Sequence, residues 1–270
     1  MFYVQCSKFL ACQTAVVWPK LRAMNPVLVV VPTYNEKDNI RNIAAAIFLA
    51  CPQADILFVD DNSPDGTGSI ADAMAAGDSR VNVMHRPGKQ GLGRAYIAGF
   101  EWALGRSYRF VFEMDADFSH NPAELPNFLK AAEDSDLVLG SRYVNGIRII
   151  NWPLKRLILS KWASLYVKAI TGMPFTDPTS GFKCFSRKVL EAINLAGIVS
   201  SGYSFQVEMT YTAWKLGFKI KEIPIIFEDR HSGTSKMSAS IIREAVWLIM
   251  KLPLRPVRRL RLNSQPPVRP

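Results

Sequence analysis

Two carboxylates one residue apart, Asp115 and Asp117, end the run Arg109-Phe110-Val111-Phe112-Glu113-Met114. The run is mostly apolar and has the length of a buried strand, and Ser119, Asn121 and Pro122 then break the pattern. In an open α/β sheet, ligands bind just outside the carboxyl ends of the strands. Two carboxylates there form a site for a hard divalent cation, Mg²⁺ or Mn²⁺, which usually brings a phosphate with it. The same residues also have a plainer reading. Asp117 or Ser119 caps the helix after Pro122, and Asp115 is merely solvated.

The elements that must position these acids can be read along the chain. Val27 to Val31 is all apolar and mostly β-branched, the signature of a strand buried on both faces. It runs into Pro32-Thr33-Tyr34-Asn35-Glu36, with Asn35 or Asp38 available to cap a helix over Ile40 to Ala50. Ile56 to Val59 is a second strand, followed by Asp60 and Asp61. Helix and strand then alternate over Ala71–Ala76, Val81–Met84, Ala95–Leu104, the opening stretch, Leu125–Ala132 and Leu137–Leu139. This alternation predicts a mostly parallel sheet covered on both faces. Three acid-bearing loops, at Glu36, at Asp60 and Asp61, and at Asp115 and Asp117, then converge on one sheet edge.

The turn Gly88-Lys89-Gln90-Gly91-Leu92-Gly93-Arg94 has neither GxxxxGK[ST] nor GxGxxG spacing, and reads as a glycine-permitted helix start. Beyond residue 140 the pattern predicts a long helix over Trp152 to Ile170 and a turn through Asp177 into a short strand. Helices over Val189–Leu195 and Phe205–Leu216 follow, then a strand over Ile220–Phe227 with Pro224 at an edge or bulge. Ser238 to Lys251 is amphipathic. It suits an interfacial helix at a membrane or a helix packed on the core.

A chain of 270 residues is one large domain or two small ones. Its 33 basic and 23 acidic residues give a formal charge of +10. Lys251, Arg255, Arg258, Arg259, Arg261 and Arg269 fall in an acid-free end. That end suits an anionic membrane surface, a nucleic acid, or a solvated disordered tail. Cys6, Cys12, Cys51 and Cys184 show neither CxxC nor zinc spacing, which fits free thiols in a reducing compartment. No apolar run reaches the ~20 residues that span a bilayer. The domain pattern begins only near Pro26. Residues 1–24 are therefore expected to be an extension that is disordered or not translated, 25–251 the domain, and 252–270 a basic disordered tail.

Eight stretches in order then resemble family 2 glycosyltransferases, and among them the dolichyl- or polyprenyl-phosphate mannosyltransferases. They are Val-Val-Pro-Thr-Tyr-Asn-Glu (30–36), Val-Asp-Asp-Asn-Ser-Pro-Asp-Gly-Thr (59–67), Gly-Leu-Gly-Arg-Ala-Tyr (91–96) and Met-Asp-Ala-Asp-Phe-Ser-His-Asn-Pro (114–122). Gly-Ser-Arg-Tyr (140–143), Asp-Pro-Thr-Ser-Gly-Phe (177–182), Gly-Tyr-Ser-Phe-Gln-Val-Glu (202–208) and Asp-Arg-His-Ser-Gly-Thr-Ser-Lys-Met (229–237) complete the set. The resemblance implies a GT-A fold, with a Rossmann-like half merged with an acceptor half. It further implies metal-dependent, inverting transfer of mannose from GDP-mannose to a polyprenyl monophosphate.

The resemblance carries roles onto individual residues. Pro32, Tyr34 and Glu36 match the donor-base pocket, and Val59 and Asp61 the wall that holds base and ribose. Asp115 and Asp117 match the metal motif, Asp117 foremost as direct ligand. Ala116 lies against the nucleotide, and Ser119, expected with Asp115 and Asp117 at the metal, takes a position often filled by Gln. Arg142 matches an arginine that meets the acceptor phosphate, and Arg156 and Ser160 lie where further acceptor-phosphate contacts are placed. Arg230 and Lys236 match a loop that closes over the donor diphosphate. Lys183 stands where many relatives carry arginine. No transmembrane hairpin is read after the domain, so the enzyme is expected at the cytosolic face of the membrane, peripherally or through a membrane-spanning partner.

Cations and a divalent ion can stabilise charge developing on a leaving nucleoside diphosphate. An acceptor phosphate is already anionic and needs positioning more than a base, a role suited to the arginine fork. Two other readings stand beside this one: a polyprenyl-phosphate glycosyltransferase using a UDP-sugar such as UDP-glucose, and a basic nucleic-acid- or membrane-binding module. Acids at the strand ends would repel a nucleic-acid backbone, so no nucleic-acid partner is expected.

Overall fold

The computed structural model describes residues 27–200, 202–228, 239–257 and 259–260, with the backbone alone for 239–242. The extension expected over 1–24 lies outside the described residues, as do Arg230 and Lys236. The first half of the chain alternates β1 (Val27–Thr33), α1 (Ile40–Ala50), β2 (Ala54–Asp60), α2 (Thr67–Gly77), β3 (Val81–His85), α3 (Leu92–Leu104) and β4 (Phe110–Glu113). There follow α4 (Leu125–Ala132), β5 (Leu137–Ser141), β6 (Ile149–Ile150), α5 (Leu154–Thr171), β7 (Lys183–Ser186) and α6 (Arg187–Ala192). The chain continues with α7 (Tyr203–Lys215), β8 (Ile220–Pro224), β9 (Phe227–Glu228) and α8 (Ala239–Lys251).

Seven strands form one sheet in the order β3-β2-β1-β4-β7-β5-β8. Within it β7 alone runs against its neighbours, β4 and β5. This is the α/β, mostly parallel architecture that the alternation predicts. The chain winds outward from β1 through β2 to β3, then returns to place β4 on the other side of β1. A ligand crevice opens at such a reversal, between the carboxyl ends of β1 and β4.

Alternate residues of β1 feed two cores. Val27, Val29 and Val31 pack with α1 and α4 on one face, and Leu28 and Val30 with α3 and α7 on the other. Burial on both faces is why this strand has no polar alternation. Gly99 on α3 lies so close to the sheet that a Cβ there would meet Val30 Cγ1 at 2.5 Å.

Three local expectations are corrected. Neither Asn35 nor Asp38 caps α1; Asn39 is the N-cap residue, and its side chain turns to Glu36 Oε2 at 2.9 Å. Asn35 is instead held in a left-handed turn (φ 61°), its N–H bonded to Ser63 Oγ. The strand expected over Ile220–Phe227 splits, and β9 pairs with β6 in a separate two-stranded ribbon. The basic tail is not free from residue 252 onward. Leu252 is buried, Arg255 reaches Glu208, and the Leu260 N–H bonds to the Ala192 carbonyl. Apolar residues interleaved with the cations make this docking possible. Residues 261–270 lie outside the described residues.

Candidate active site

The loops after β1, β2 and β4 share one sheet edge, and the first two are stitched together. Asp60 accepts from Thr33 Oγ1 and from the Ser63 N–H and hydroxyl, so this acid holds the two loops in register. Thr67 Oγ1 accepts from the Glu36 N–H, and Asp65 from the Lys37 N–H. Each loop contains a non-glycine residue with positive φ, namely Asn35, Asn62 and Phe118. Asn tolerates that region through local hydrogen bonding, whereas Phe does not, so strain sits between Asp117 and Ser119.

Pro32, Tyr34 and Glu36 are half-buried along this edge. Lys89 of the glycine-rich turn lies over the Tyr34 ring, 4.6 Å from its centroid. Arg86 links that turn to the second loop, donating from Nη1 to Asp61 Oδ1 at 2.6 Å and from Nη2 to Gln90 Oε1 at 2.9 Å. Burial pushes the Asp61 carboxyl up, and the Arg86 guanidinium opposes the shift. Gly91 starts α3 with φ 98°, the glycine-permitted turn that the sequence suggests. Val59 differs from expectation. Its side chain is fully buried in the core with Tyr96, because alternation turns it inward, and it presents no surface to a ligand.

Asp115 and Asp117 come to the mouth of the crevice by different supports. Asp117 is buried, and its Oδ1 accepts from both the N–H and the hydroxyl of Ser119. Asp115 is more open, with 30% of its side chain exposed, and its Oδ1 accepts from Tyr96 Oη at 3.1 Å. Burial and the neighbouring carboxylate push the Tyr96 phenol well above its ordinary value, so it stays a donor. The capping alternative is not what the chain adopts: Asn121, not Asp117 or Ser119, caps the turn at Pro122 by accepting from the Ala123 N–H.

His120 completes this corner and carried no motif signal of its own beyond its place in the stretch. Its Nδ1 accepts from the Asp115 N–H at 3.0 Å, so the proton of a neutral ring lies on Nε2, 4.0 Å from Asp115 Oδ2. The ring stacks on Phe182 and meets the Phe227 edge.

Behind Asp115 lies a second unannounced cluster. Glu113 and Lys183 are register partners across β4 and β7, both fully buried. Burial pushes the Glu113 carboxyl up to about 7 and the Lys183 ammonium down to about 8, each opposed by the other's charge. Lys183 donates to the Gln206 carbonyl and side chain. Among the described residues neither Glu113 oxygen closes a hydrogen bond of good geometry, and the Gln206 amide nitrogen, though near enough to lower the Glu113 carboxyl, does not close one either.

The other half of the edge is basic and aromatic. Because β7 runs antiparallel, the loop before it returns to this edge and brings Asp177 to Arg142 at the end of β5. Arg142 binds Asp177 at two points, and Thr179 Oγ1 accepts from Nη2 at 2.8 Å. Burial alone would raise the Asp177 carboxyl, but Arg142 holds it below the ordinary carboxylate range. The Arg142 guanidinium lies among Tyr143, Trp152 and Phe227, 5.4 to 5.8 Å from their centroids. Arg156 lies 4.1 Å from the Trp152 centroid, and Ser160 accepts from Tyr143 Oη at 2.8 Å. The three residues Arg142, Arg156 and Ser160 therefore share one aromatic cluster. The Trp152 indole N–H is buried in it without an acceptor among the described residues.

Among the described residues, no three His, Cys, Asp or Glu side chains group to hold a metal. Asp115 and Asp117 can together offer oxygen ligands only in part. That donor set fits Mg²⁺ or Mn²⁺, which commonly take one or two carboxylates and complete their shell with substrate phosphate and water. It does not fit an all-protein cage. Ser119 enters through Asp117, as the donor that orients it.

The family described as Glycosyl transferase family 2 matches residues 28–193. The chain is 48% identical over 237 residues to a polyprenol monophosphomannose synthase of Mycolicibacterium smegmatis, covering 87% of this chain and 89% of that protein. It is 48% identical over 220 residues to an undecaprenyl-phosphate mannosyltransferase of Micrococcus luteus, covering 82% and 90%. Among solved structures, it resembles glucosyl-3-phosphoglycerate synthase from Mycobacterium tuberculosis in complex with Mn²⁺ and UDP-glucose. The TM-score is 0.61 at 19% identity, covering 84% of this chain and 77% of that one. At that identity the likeness speaks to the GT-A fold alone.

Proposed function

The chain belongs to glycosyl transferase family 2 and is a glycosyltransferase, and from that premise we propose that it transfers mannose from GDP-mannose to a polyprenyl monophosphate. The observation that carries the reading is one sheet edge with two chemistries. Carboxylates suited to a metal–diphosphate stand after β4, and an arginine–aromatic cluster suited to a phosphate on an apolar chain stands after β5. The names of the two relatives at 48% identity support the same substrates.

In this reading Asp115 and Asp117 hold a divalent ion, with Ser119 fixing Asp117 and Tyr96 and His120 fixing Asp115. The ion supplies positive charge against the donor diphosphate. Pro32, Tyr34, Glu36 and Asp61 line the nucleotide side, whereas Ala116 is buried in the core as Val59 is; the resemblance alone assigns Arg230 and Lys236 to the diphosphate. Arg142, Arg156 and Ser160 orient the acceptor phosphate. An oxygen of that phosphate attacks the anomeric carbon, the bond from that carbon to the GDP oxygen breaks, and configuration inverts. The acceptor oxygen is already anionic, so no side chain takes a proton. Asp177 and Thr179 take the Nε and Nη2 donors of Arg142 and fix the side chain, so the acceptor phosphate would meet the guanidinium at Nη1.

Among the described residues, no helix is long and apolar enough to cross a membrane. The enzyme would meet its lipid acceptor from the cytosolic face. The test is transfer of labelled sugar from GDP-mannose, UDP-glucose and UDP-GlcNAc to a polyprenyl phosphate, with Mg²⁺, Mn²⁺ or chelator. Label entering lipid from GDP-mannose alone, and only with metal, is the expected result. Label from a UDP-sugar would reassign the donor, and no lipid label at all would reject the acceptor assignment.

A further inference from the structure

The glycine-rich turn between β3 and α3 matches no phosphate-loop spacing, yet it is tied down at both ends on the nucleotide side of the crevice. At its start the Arg86 N–H donates to the Asp60 carbonyl at 2.8 Å, and the Arg86 guanidinium binds Asp61. At its end the Gln90 side chain accepts from Arg86 and the Gln90 N–H donates to the Asp61 carboxylate. Gly91 then turns the chain into α3. Lys89 is carried on this stapled turn. It is exposed, and among the described residues it meets no carboxylate. Its ammonium lies over the half-buried Tyr34 ring, 4.6 Å from the centroid. A cation on a ring near solvent is weakly held, and an ammonium has three donors and no acceptor. Lys89 is thus a donor kept at the rim of the crevice, and Asp61 of the same corner is already taken by Arg86.

Position on the sheet decides what that donor meets. The carboxylates suited to a metal–diphosphate stand after β4, whereas the turn is anchored at the ends of β2 and β3, two and three strands away. At about 4.8 Å per strand, roughly 10–14 Å of sheet edge separates the two. The loop after β1, which carries Tyr34, leans the same way, bonded to Ser63 and Thr67 beyond β2. A nucleoside diphosphate laid along this edge with its phosphates at β4 therefore brings its base, not a phosphate, to Lys89.

We propose that Lys89 is a specificity-determining residue for the donor nucleotide, its ammonium leaving the Tyr34 ring to donate to O6 and N7 of guanine. Guanine turns two acceptors to one edge, and a lysine that reaches O6 and N7 is a recurrent way of reading it. Adenine places a donor where guanine has O6, and a pyrimidine has no N7. A lysine held at this place therefore favours guanosine diphosphate, whereas a cation serving the phosphates would favour every nucleotide alike. This deepens the GDP-mannose reading and rests on it for the identity of the base.

The test is calorimetric titration of the full chain with GDP, 7-deaza-GDP, which lacks the N7 acceptor, and UDP, each with Mn²⁺. Wild type should bind GDP about tenfold or more tighter than either of the others. Lys89→Met keeps an apolar stem over Tyr34 and removes the donors. It should lose about tenfold for GDP, bind GDP and 7-deaza-GDP alike, and change little for UDP. Lys89→Arg should keep the preference for GDP, because arginine reaches the same two acceptors. In the transfer assay Lys89→Met should raise KM for GDP-mannose and keep kcat. Equal binding of GDP and 7-deaza-GDP by wild type, a preference for GDP undiminished in Lys89→Met, or the same loss for all three nucleotides would overturn the assignment. A wild type that prefers UDP would overturn it together with the GDP-mannose reading. A GDP preference that Lys89→Met abolishes, without label entering lipid from any donor, would strike the functional reading and leave the base contact standing.

Discussion

Arg142 and Asp177 meet in a buried two-point ion pair, Nε to Oδ2 at 2.7 Å and Nη2 to Oδ1 at 2.8 Å. The Arg142 N–H also donates to Asp177 Oδ2 at 3.1 Å, so one carboxylate holds both backbone and side chain. Asp177 itself accepts from Thr179 Oγ1, and Glu222 accepts from the Asp177 N–H. The arginine is thus held fixed with its fork taken by the carboxylate, and the strand reversal at β7 is what delivers its holder.

Asp177→Asn should therefore lower both stability and turnover. Removing one partner of a buried pair costs about 3–5 kcal/mol. The Asp177 carboxyl is held below its ordinary value in the folded state, so its stabilisation is full above the unfolded value and is lost as pH falls through the folded one. Urea unfolding should show a constant gap between wild type and variant from neutrality down to about pH 4, narrowing below it. A gap that widens in acid would contradict the assignment. In the assay KM for the acceptor should rise while KM for the donor stays.

Glu113 and Lys183 are register partners on adjacent strands, and among the described residues neither Glu113 oxygen closes a hydrogen bond of good geometry. Glu113→Gln or Lys183→Met alone should destabilise by about 3–5 kcal/mol, because each leaves the other charge buried. The double variant should recover most of that loss, as apolar or neutral replacements of buried pairs often do. Denaturant midpoints for the four proteins measure the coupling, and strict additivity would show that the two charges do not interact.

Much of this architecture was legible in the chain. The all-apolar run Val27–Val31 could only be a strand buried on both faces, and the boundaries of α1 and α4 coincide with their apolar periodicity. The convergence of Glu36, Asp60, Asp61, Asp115 and Asp117 followed from parallel strands alone. What could not be read is nonlocal. Asp177 finds Arg142 35 residues away only because β7 inserts antiparallel between β4 and β5. The Val59 side chain faces the core by an alternation that the all-apolar run concealed. His120 and Tyr96 act through Asp115, and no spacing rule links a helix tyrosine to a strand-end acid.

His120 fixes Asp115 by accepting its N–H through Nδ1, with the ring clamped between Phe182 and Phe227. His120→Asn keeps an acceptor near Nδ1 and should retain more activity than His120→Ala. His120→Gln, whose polar atoms lie one bond further out, should resemble Ala. The measurement is transfer rate together with the metal concentration giving half-maximal rate, which should rise about tenfold or more in Ala, as is usual for an outer partner of a ligand. Equal behaviour of Asn and Ala would show that the ring serves only as packing.

Ser119 donates twice to one oxygen of Asp117, from backbone and hydroxyl, and the neighbouring Phe118 is held at φ 63° to make this turn. If Asp117 is the metal-facing carboxylate, the hydroxyl orients it, and Asp117→Asn should cost far more than Ser119→Ala. Asp117→Asn should abolish transfer under any metal concentration, whereas Ser119→Ala should lose about 10–100-fold in metal affinity and recover turnover when metal is raised. Phe118→Gly meets that φ without steric cost but removes a ring packed against the core, so it should destabilise the fold overall. Calorimetric titration of Mn²⁺ in the presence of GDP reads the affinity directly, apart from turnover. Unaltered Mn²⁺ binding in Asp117→Asn would remove this carboxylate from the metal site and leave Asp115 as the remaining candidate.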